Sequence, residues 1–146
     1  MIKCTFEDGV SAILRHVVVD AIAINSKNQI LLVKRAEHVF RGGKWGLPGG
    51  YLDRDERIKD AVVREVKEET NLKAKIIKLF KVVDNPNRRE EERQNVCFVY
   101  IVSATGKPKP QESEVSQVKW FDLDKLPPEE DFAFDHLEII TSYLSK

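Results

Sequence analysis

The chain lacks a net charge, because 24 basic residues balance 24 acidic residues over its 146 positions. A protein that attracts nucleic acid or an anionic membrane through its overall field is normally rich in charge of one sign. We therefore expect no nucleic-acid partner and no membrane partner. An anionic small molecule would have to be held by a local arrangement of side chains or through a bound metal ion.

Cysteines and long apolar runs are also scarce. The two cysteines, Cys4 and Cys97, form no CxxC pair and have no histidine at metal-binding spacing, which is typical of free thiols in a reducing cytoplasm. No apolar run approaches the length that spans a bilayer. The first residues include acids where a signal peptide would have its hydrophobic stretch, which also favours a cytoplasmic location.

Length and a hydrophobic fraction of 42% indicate one compact domain over residues 1–146. Apolar and β-branched runs, separated by turn clusters rich in Asn, Ser, Gly and Pro, predict the strands. The predicted strands cover residues 17–24, 29–34, 75–83, 93–103 and 115–121, and the predicted helices cover residues 56–70 and 132–144. This order predicts an α/β fold in which a mixed sheet is flanked by two helices.

Several local features sharpen this prediction. The first two strands, joined by a turn at residues 25–28, are predicted to form a hairpin. Asp53 and Asp55 are candidate N-caps of the first helix, and Asn71 is a candidate left-handed stop. The stretch 41–50 is too rich in Gly and Pro for a helix, which indicates a backbone that must come close to another group.

Three glutamates share one face of the first predicted helix. Glu65, Glu68 and Glu69 stand at positions i, i+3 and i+4, so their side chains lie within one turn and border the apolar stripe. Like charges at this spacing repel, and acids in the last turn face the negative end of the helix dipole. Partial burial of a carboxylate adds a further cost. A bound divalent cation would relieve all three costs, and the alternative is an ordinary solvated helix rich in glutamate.

The donor chemistry indicates which metal ion such a site would bind. A set of oxygen ligands without histidine or thiolate selects a hard cation, Mg²⁺ first and Mn²⁺ as a substitute. Mg²⁺ sites commonly use few carboxylates and complete their shell with water and substrate phosphates.

The residues upstream of the glutamates complete a longer pattern that resembles the Nudix box. Its fixed positions are occupied by Gly50, Glu56, Arg64, Glu65, Val66, Glu68, Glu69 and Leu72. The usual glycine two residues after the last glutamate is replaced by Asn71, which also tolerates a left-handed turn. With similar segments before and after the box, the chain resembles the ADP-ribose pyrophosphatase-like branch of the Nudix hydrolases. The resemblance implies an α/β/α sandwich with a central mixed β-sheet.

The resemblance also implies roles for the residues of the box. Glu68, Glu69 and the main-chain carbonyl of Gly50 are expected to bind the metal ion. Glu65 is expected to be a further ligand or to orient the attacking water. The implied reaction is attack by water on a phosphorus atom of a diphosphate, with metal ions lowering the pKa of the water and neutralising charge on the leaving oxygens.

Two further pairs of residues have implied roles. Glu56 and Arg64 are expected to form a structural ion pair that holds the loop and the helix together. The general base is expected in a loop away from the box, where Glu114 is favoured over Glu112. Either acid is alternatively a solvated loop residue.

Four candidate substrate-binding residues lie in the glycine-rich stretch or shortly before it: Arg35, Trp45, Pro48 and Gly49. Arg35 follows a strand at the edge of this stretch, where it would contact a substrate phosphate or form an exposed ion pair. Trp45 would stack a base or pack in the core, and the core is favoured. The backbone at Gly49 is the part of the chain expected to approach another group closely.

The stretch around Pro86 resembles Nudix members that hydrolyse ADP-ribose, in which a proline commonly follows the box. Residues 84–92 are predicted to form an exposed loop, and Arg88, Arg89 and Arg93 are interpreted as surface charge rather than a phosphate clamp.

The leading hypothesis is Mg²⁺-dependent hydrolysis of ADP-ribose or a related nucleotide sugar. One alternative is a nucleoside triphosphate pyrophosphohydrolase, including the type that clears oxidised nucleotides. A second alternative is a non-catalytic nucleotide-binding sensor. A homodimer stays open, because many relatives that hydrolyse ADP-ribose dimerise and no apolar patch can be recognised from the sequence.

Overall fold

A computed structural model describes residues 1–90 and 93–146 of the chain. Residues 91 and 92, at the end of the predicted exposed loop, lie outside the described residues. The strands are β1 (Ile2–Thr5), β2 (Ser11–Leu14), β3 (Val17–Ala23), β4 (Gln29–Arg35), β5 (Trp45–Gly46), β6 (Gly49–Tyr51), β7 (Lys73–Val83), β8 (Val96–Thr105) and β9 (Val115–Asp122). The helices are α1 (Ile58–Thr70) and α2 (His136–Leu144), with a 3₁₀ turn at Glu129–Asp131.

The longer strands are divided between two sheets. Four strands form a mixed sheet in the order β6-β3-β8-β7, in which β3 runs parallel to β8 and the other neighbours are antiparallel. Three strands form an antiparallel sheet in the order β5-β4-β9. The N-terminal strands β1 and β2, which the sequence pattern did not predict, pair with each other.

The two helices cover opposite faces of the mixed sheet. Val19 and Ala21 of β3 face a buried cluster that contains the apolar stripe of α1. Ile22 points to the other face of the same strand and joins a cluster with Ile139 and Ile140 of α2. Fully burying one such aliphatic side chain contributes about 1.5–3 kcal/mol. The predicted α/β/α sandwich with a central mixed β-sheet is confirmed.

The predicted hairpin between β3 and β4 is wrong. Each strand pairs within its own sheet, and Ile24 and Ile30 form an isolated bridge between them. The turn itself forms, since Asn25 Oδ1 accepts hydrogen bonds from the backbone N–H groups of Lys27 at 2.9 Å and Gln29 at 3.0 Å. The chain reverses at this turn but passes from one sheet to the other, because both strands are apolar on both faces and each can be buried between layers.

The start of α1 also differs from the prediction. The helix begins at Ile58, and neither Asp53 nor Asp55 caps it, because the N-cap position is Arg57 and makes no side-chain capping bond. The backbone N–H of Asp53 instead donates to Glu56 Oε2 at 3.2 Å. The segment before the helix is therefore organised around a glutamate side chain rather than an aspartate cap.

The end of α1 is as predicted. Asn71 adopts a left-handed φ of 61°, and its N–H donates to the carbonyl of Lys67 at 2.9 Å. The second helix begins at His136 rather than residue 132, because Phe134 has a positive φ of 56° that interrupts any helix there. In the described parts of the chain, no helix has both the length and the apolar character needed to cross a membrane.

Candidate active site

The three glutamates of α1 differ in exposure. Glu65 and Glu69 are 8% and 6% exposed, whereas the Glu68 side chain is 52% exposed. The helical period explains the difference, because Glu65 and Glu69 lie beside the buried stripe of Val62 and Val66 and Glu68 lies further round towards solvent. The site is therefore a half-buried carboxylate cluster at the C-terminal half of the helix.

A pair of glycines in β6 lies directly against the buried carboxylates. The backbone N–H of Gly49 donates to Glu69 Oε2 at 3.0 Å. A Cβ atom placed on Gly50 would lie 2.5 Å from Glu65 Oε1, and one on Gly49 would lie 2.1 Å from the carbonyl oxygen of Val19. A side chain at either position would collide with these groups, so glycine permits the close approach of strand and helix.

Burial makes both inner carboxylates hard to ionise. Desolvation raises the pKa of Glu69 well above its ordinary value, with the Gly49 N–H opposing and the charge of Glu65 adding to the shift. Desolvation also raises the pKa of Glu65, against the opposing effect of Arg64. The two groups therefore lie where an added cation would be strongly stabilising.

Arg64 connects the box residues to one another. Its guanidinium contacts Glu56 Oε1 at 2.8 Å and Oε2 at 3.0 Å, which forms a bidentate ion pair. It also contacts Glu65 Oε1 at 2.7 Å, Glu68 Oε2 at 3.0 Å and the carbonyl of Tyr51 at 2.9 Å. The hydrogen bond from Arg64 lowers the pKa of Glu56 and keeps it charged. Arg64 thus joins the helix, the preceding segment and β6.

The oxygen atoms of the carboxylate cluster are of the chemical type that binds a hard divalent cation. Among residues 1–90 and 93–146, no three His, Cys, Asp or Glu side chains are already arranged to hold a metal ion. Arg64 takes one oxygen of Glu65 and one of Glu68, and a backbone N–H takes one oxygen of Glu69. The remaining carboxylate oxygens and the Gly50 carbonyl are hard oxygen donors, the type that Mg²⁺ and Mn²⁺ bind.

A cavity that is open to solvent lies beside the glycine pair. It is lined by Val18, Asp20, Arg35, Phe40, Leu47, Gly49, Gly50, Tyr51, Arg88, Arg93, Asn95, Phe134 and His136. Gly49 and Gly50 thus line this cavity and also lie directly against Glu65 and Glu69. A ligand that contacts the glycine pair in the cavity is therefore brought close to the carboxylate cluster.

Comparison with known protein families agrees with this arrangement. The model of the NUDIX domain matches residues 14–143, which leaves β1 and most of β2 outside the match. The chain belongs to the Nudix family. Nudix hydrolases generally use divalent metal ions, so the carboxylate cluster of this Nudix domain lies where such an ion is expected.

Individual relatives extend this comparison. An ADP-ribose pyrophosphatase from Methanocaldococcus jannaschii is 38% identical over 128 residues, which cover 88% of this chain and 72% of that protein. The NUDIX domain of Shewanella oneidensis NrtR, solved with ADP ribose, has a TM-score of 0.75 at 29% identity and covers 92% of this chain and 89% of that chain. A bifunctional NMN adenylyltransferase/ADP ribose pyrophosphatase from Francisella tularensis was solved with AMP and a Mn ion. It has a TM-score of 0.72 at 27% identity and covers 90% of this chain but 42% of that longer chain.

Two of the predicted substrate-binding residues do not line the cavity of this Nudix domain. Trp45 packs edge-on against Phe121, with ring centroids 4.8 Å apart, and belongs to the cluster around Phe132. Pro48 is buried, and its carbonyl accepts a hydrogen bond from the N–H of Ala21 at 2.9 Å. This packing agrees with the interpretation of Trp45 as a core residue, and a role in substrate binding stays a prediction. Pro48 supports the backbone that places the glycine pair.

Arg35 does line the cavity, as does Gly49. The Arg35 Nε donates to the carbonyl of Phe40 at 2.8 Å, and its guanidinium lies 5.4 Å from the ring centroid of Phe134. Burial lowers the pKa of Arg35, while the negative charges of Glu69 and Glu114 oppose that shift. A guanidinium near both the carboxylates and the cavity suits contact with a phosphate.

Glu114 lies close enough to influence the buried carboxylates. Its charge contributes to the raised pKa of both Glu65 and Glu69. Its side chain is exposed, and its carbonyl accepts a hydrogen bond from the N–H of Ala36 at 2.8 Å, which fixes this loop beside β4. Glu112 is also exposed. The position of Glu114 relative to the carboxylate cluster favours it over Glu112 as the candidate base.

Sequence reasoning missed a buried polar group centred on Asp20. The Cys97 Sγ donates to Asp20 Oδ2 at 2.9 Å, and burial raises the pKa of this thiol well above its ordinary value. His136 Nδ1 accepts the N–H of Leu47 at 2.9 Å, which leaves the proton of the neutral ring on Nε2, 3.6 Å from Asp20 Oδ2. Burial lowers the pKa of His136, which favours that neutral form. The sequence did contain one signal of this buried polar group, since Asp20 is an acid within the otherwise apolar run of β3.

The interpretation of three arginines as surface charge is wrong for Arg88. The Arg88 side chain is 4% exposed and forms a bidentate ion pair with Asp135, at 2.8 and 2.6 Å. Arg93 lines the cavity together with Arg88. Arg89 is partly exposed and pairs with Glu129 at 2.5 Å. Asp135 is far from Arg88 in sequence, so no local pattern marked this pair.

Proposed function

We propose that the chain hydrolyses the pyrophosphate bond of ADP-ribose or a related nucleoside diphosphate sugar with the help of Mg²⁺. The observation that carries the proposal is the double role of Gly49 and Gly50. The same backbone contacts the buried carboxylates of Glu65 and Glu69 and lines the cavity. A diphosphate that occupies the cavity is thus brought next to the carboxylate cluster.

The proposed metal site consists of Glu65, Glu68, Glu69 and the main-chain carbonyl of Gly50. Mg²⁺ bound there, or Mn²⁺ as a substitute, lowers the pKa of the attacking water and neutralises charge on phosphate oxygens. The chain itself contributes preorganisation. A backbone N–H of β6 orients Glu69, and Arg64 orients the other two carboxylates.

Three side chains outside the metal site complete the proposed machinery. Glu114 is the proposed general base that accepts a proton from the attacking water. Arg35 donates hydrogen bonds to a phosphate oxygen at the cavity wall. Glu56 acts as a positioning residue through its bidentate ion pair with Arg64. The water oxygen bonds to one phosphorus, the bridging P–O bond breaks, and AMP and ribose phosphate leave.

The substrate class is supported by the relatives. The 38% identical protein from Methanocaldococcus jannaschii is named an ADP-ribose pyrophosphatase, and the similar NrtR domain was solved with ADP ribose. The cavity combines aromatic rings with arginines, a combination that suits a molecule with both a flat base and phosphates.

The test is a substrate panel with products identified by mass. ADP-ribose, other nucleoside diphosphate sugars and nucleoside triphosphates, oxidised guanine nucleotides included, are each incubated with Mg²⁺ and with EDTA. We expect AMP and ribose phosphate from ADP-ribose, no turnover with EDTA, and no turnover by Glu69→Gln. Faster release of pyrophosphate from triphosphates would contradict the substrate class. Tight binding of ADP-ribose without turnover would make the protein a nucleotide-binding sensor instead.

Two further predictions stay open to experiment. A cytoplasmic location is proposed because both cysteines are free, with Cys97 buried and protonated. A homodimer stays a prediction, which sedimentation at several protein concentrations would test.

A further inference from the structure

Four buried side chains that line the cavity are polar. We call them the cavity floor, which consists of Asp20, Arg88, Asn95 and His136, and their side chains are nearly inaccessible to solvent. Phe40 and Tyr51 line the same cavity and are instead 46% and 39% exposed. Buried charged groups in a cavity are costly unless they are paired within the protein or serve a ligand.

Within the floor, Asp20 and Arg88 each have one polar side-chain atom without a hydrogen-bond partner among the described residues. Asp20 Oδ2 accepts from Cys97 and lies near His136, but Asp20 Oδ1 accepts no hydrogen bond from the described residues. Arg88 uses Nε and Nη2 for Asp135, and its Nη1 has no partner among the described residues. Asp20 and Arg88 influence each other electrostatically without forming a direct ion pair. A ligand can therefore supply the partners that these two groups lack.

The charges of the floor indicate which chemical group of a ligand it can bind. The guanidinium of Arg88 is already matched by the carboxylate of Asp135, and the neighbouring Cys97 and His136 are neutral, so the floor has no surplus of positive charge. A phosphate would find no unmatched cation there. Arg35 lines the same cavity and lies close enough to Glu69 to interact with its charge, so it is better placed for a phosphate next to the carboxylate cluster. The floor therefore suits a neutral polar group.

Hydroxyl groups satisfy this combination of partners. A carboxylate oxygen can only accept, a guanidinium nitrogen can only donate, and a hydroxyl can do both. Two adjacent hydroxyls of a sugar can donate to Asp20 and accept from Arg88 together. We propose that Asp20 and Arg88 recognise the vicinal hydroxyls of the sugar attached to the diphosphate and so favour nucleoside diphosphate sugars over triphosphates. This inference rests on the function proposed above.

The first test changes the substrate and leaves the protein intact. Wild-type protein with Mg²⁺ is given ADP-ribose and an analogue that lacks the 2- and 3-hydroxyls of the terminal ribose. We expect kcat/KM to fall about 10- to 100-fold for the analogue, the range that a lost hydrogen bond to a charged group produces. Equal kcat/KM values would overturn the inference but leave the proposed function standing. Turnover of triphosphates and of no nucleoside diphosphate sugar would overturn both.

The second test assigns the discrimination to Asp20. Asp20→Asn keeps the shape but replaces the charged acceptor with a neutral amide oxygen, so the ratio of its kcat/KM values for the two substrates should be about fivefold smaller than that of wild type. Cys97→Ala removes the internal donor but keeps the carboxylate, so this matched control should discriminate as the wild type does. Folded Asp20→Asn that retains the wild-type discrimination, or loses activity on both substrates equally, would overturn the assignment. If Asp20→Asn fails to fold in thermal unfolding, the comparison of substrates with wild-type protein decides.

Discussion

Replacing Glu69 by glutamine should stabilise the protein when no metal is bound. Burial raises the pKa of Glu69, so the folded protein holds this proton more tightly than the unfolded chain does. Because the unfolded chain releases this proton first, the wild-type fold loses stability as pH rises above the ordinary glutamate pKa of roughly 4.3. At lower pH both states are protonated, and the difference between Glu69→Gln and wild type should vanish.

The expected gain in stability is modest because the Glu69→Gln change also weakens a hydrogen bond. Its side-chain oxygen can still accept the N–H of Gly49, but a neutral acceptor forms a weaker bond than a carboxylate, by about 1 kcal/mol. The pKa of Glu69 is raised even with this bond present, so relief of desolvation outweighs the loss. We expect a net gain of about 1–2 kcal/mol near pH 7.5, which corresponds to a Tm increase of about 2–8 °C.

Thermal unfolding in EDTA and in Mg²⁺ provides the assay. In EDTA, Glu69→Gln should unfold at a higher temperature than wild type. With Mg²⁺ at a hundredfold excess over its Kd, wild type should gain about 2.7 kcal/mol and the variant much less, so the order reverses. Glu68→Gln is the matched control, because its side chain is half exposed and the change in EDTA should stay within about 0.5 kcal/mol. A lower Tm for Glu69→Gln in EDTA would refute the reasoning.

The remaining predictions concern activity. Gly50→Ala should lower kcat at least about tenfold, because its Cβ would lie 2.5 Å from a carboxylate oxygen of the site; unchanged kcat would contradict the close approach. Glu114→Gln should lower kcat about 10²- to 10⁴-fold with little change in KM, and Glu112→Gln should leave both constants unchanged; equal effects would rule out the assignment. Arg64→Lys should destabilise the fold by about 1–3 kcal/mol, measured by urea unfolding, because lysine cannot form the bidentate pair with Glu56.

Features encoded by neighbouring residues were predictable from the sequence. The helical period placed Glu65 and Glu69 beside the apolar stripe, and both are buried. Asn71 could be recognised as a helix stop because few residues adopt a left-handed φ, and it does so here. The two glycines in sequence indicated a close backbone approach, and they contact the carboxylates.

Features that depend on distant residues were not predictable in this way. The turn at residues 25–28 was recognised, but its chemistry does not determine whether the flanking strands pair with each other or in separate sheets. Arg88 was interpreted as surface charge because its neighbours are charged, and its burial depends on Asp135 near the start of α2. Asp20 acquires its partners through the parallel pairing of β3 with β8, which brings Cys97 beside it. Only the tertiary fold creates the cavity floor.

Binding of Mn²⁺, followed through the loss of its free-ion electron paramagnetic resonance signal, tests the central claim most directly. The account predicts that wild-type protein binds Mn²⁺ without substrate and that Mg²⁺ competes for the site. Glu69→Gln should weaken this binding about 10- to 100-fold. Equal Mn²⁺ affinity in wild type and Glu69→Gln would contradict the assignment of the α1 glutamates as the metal site.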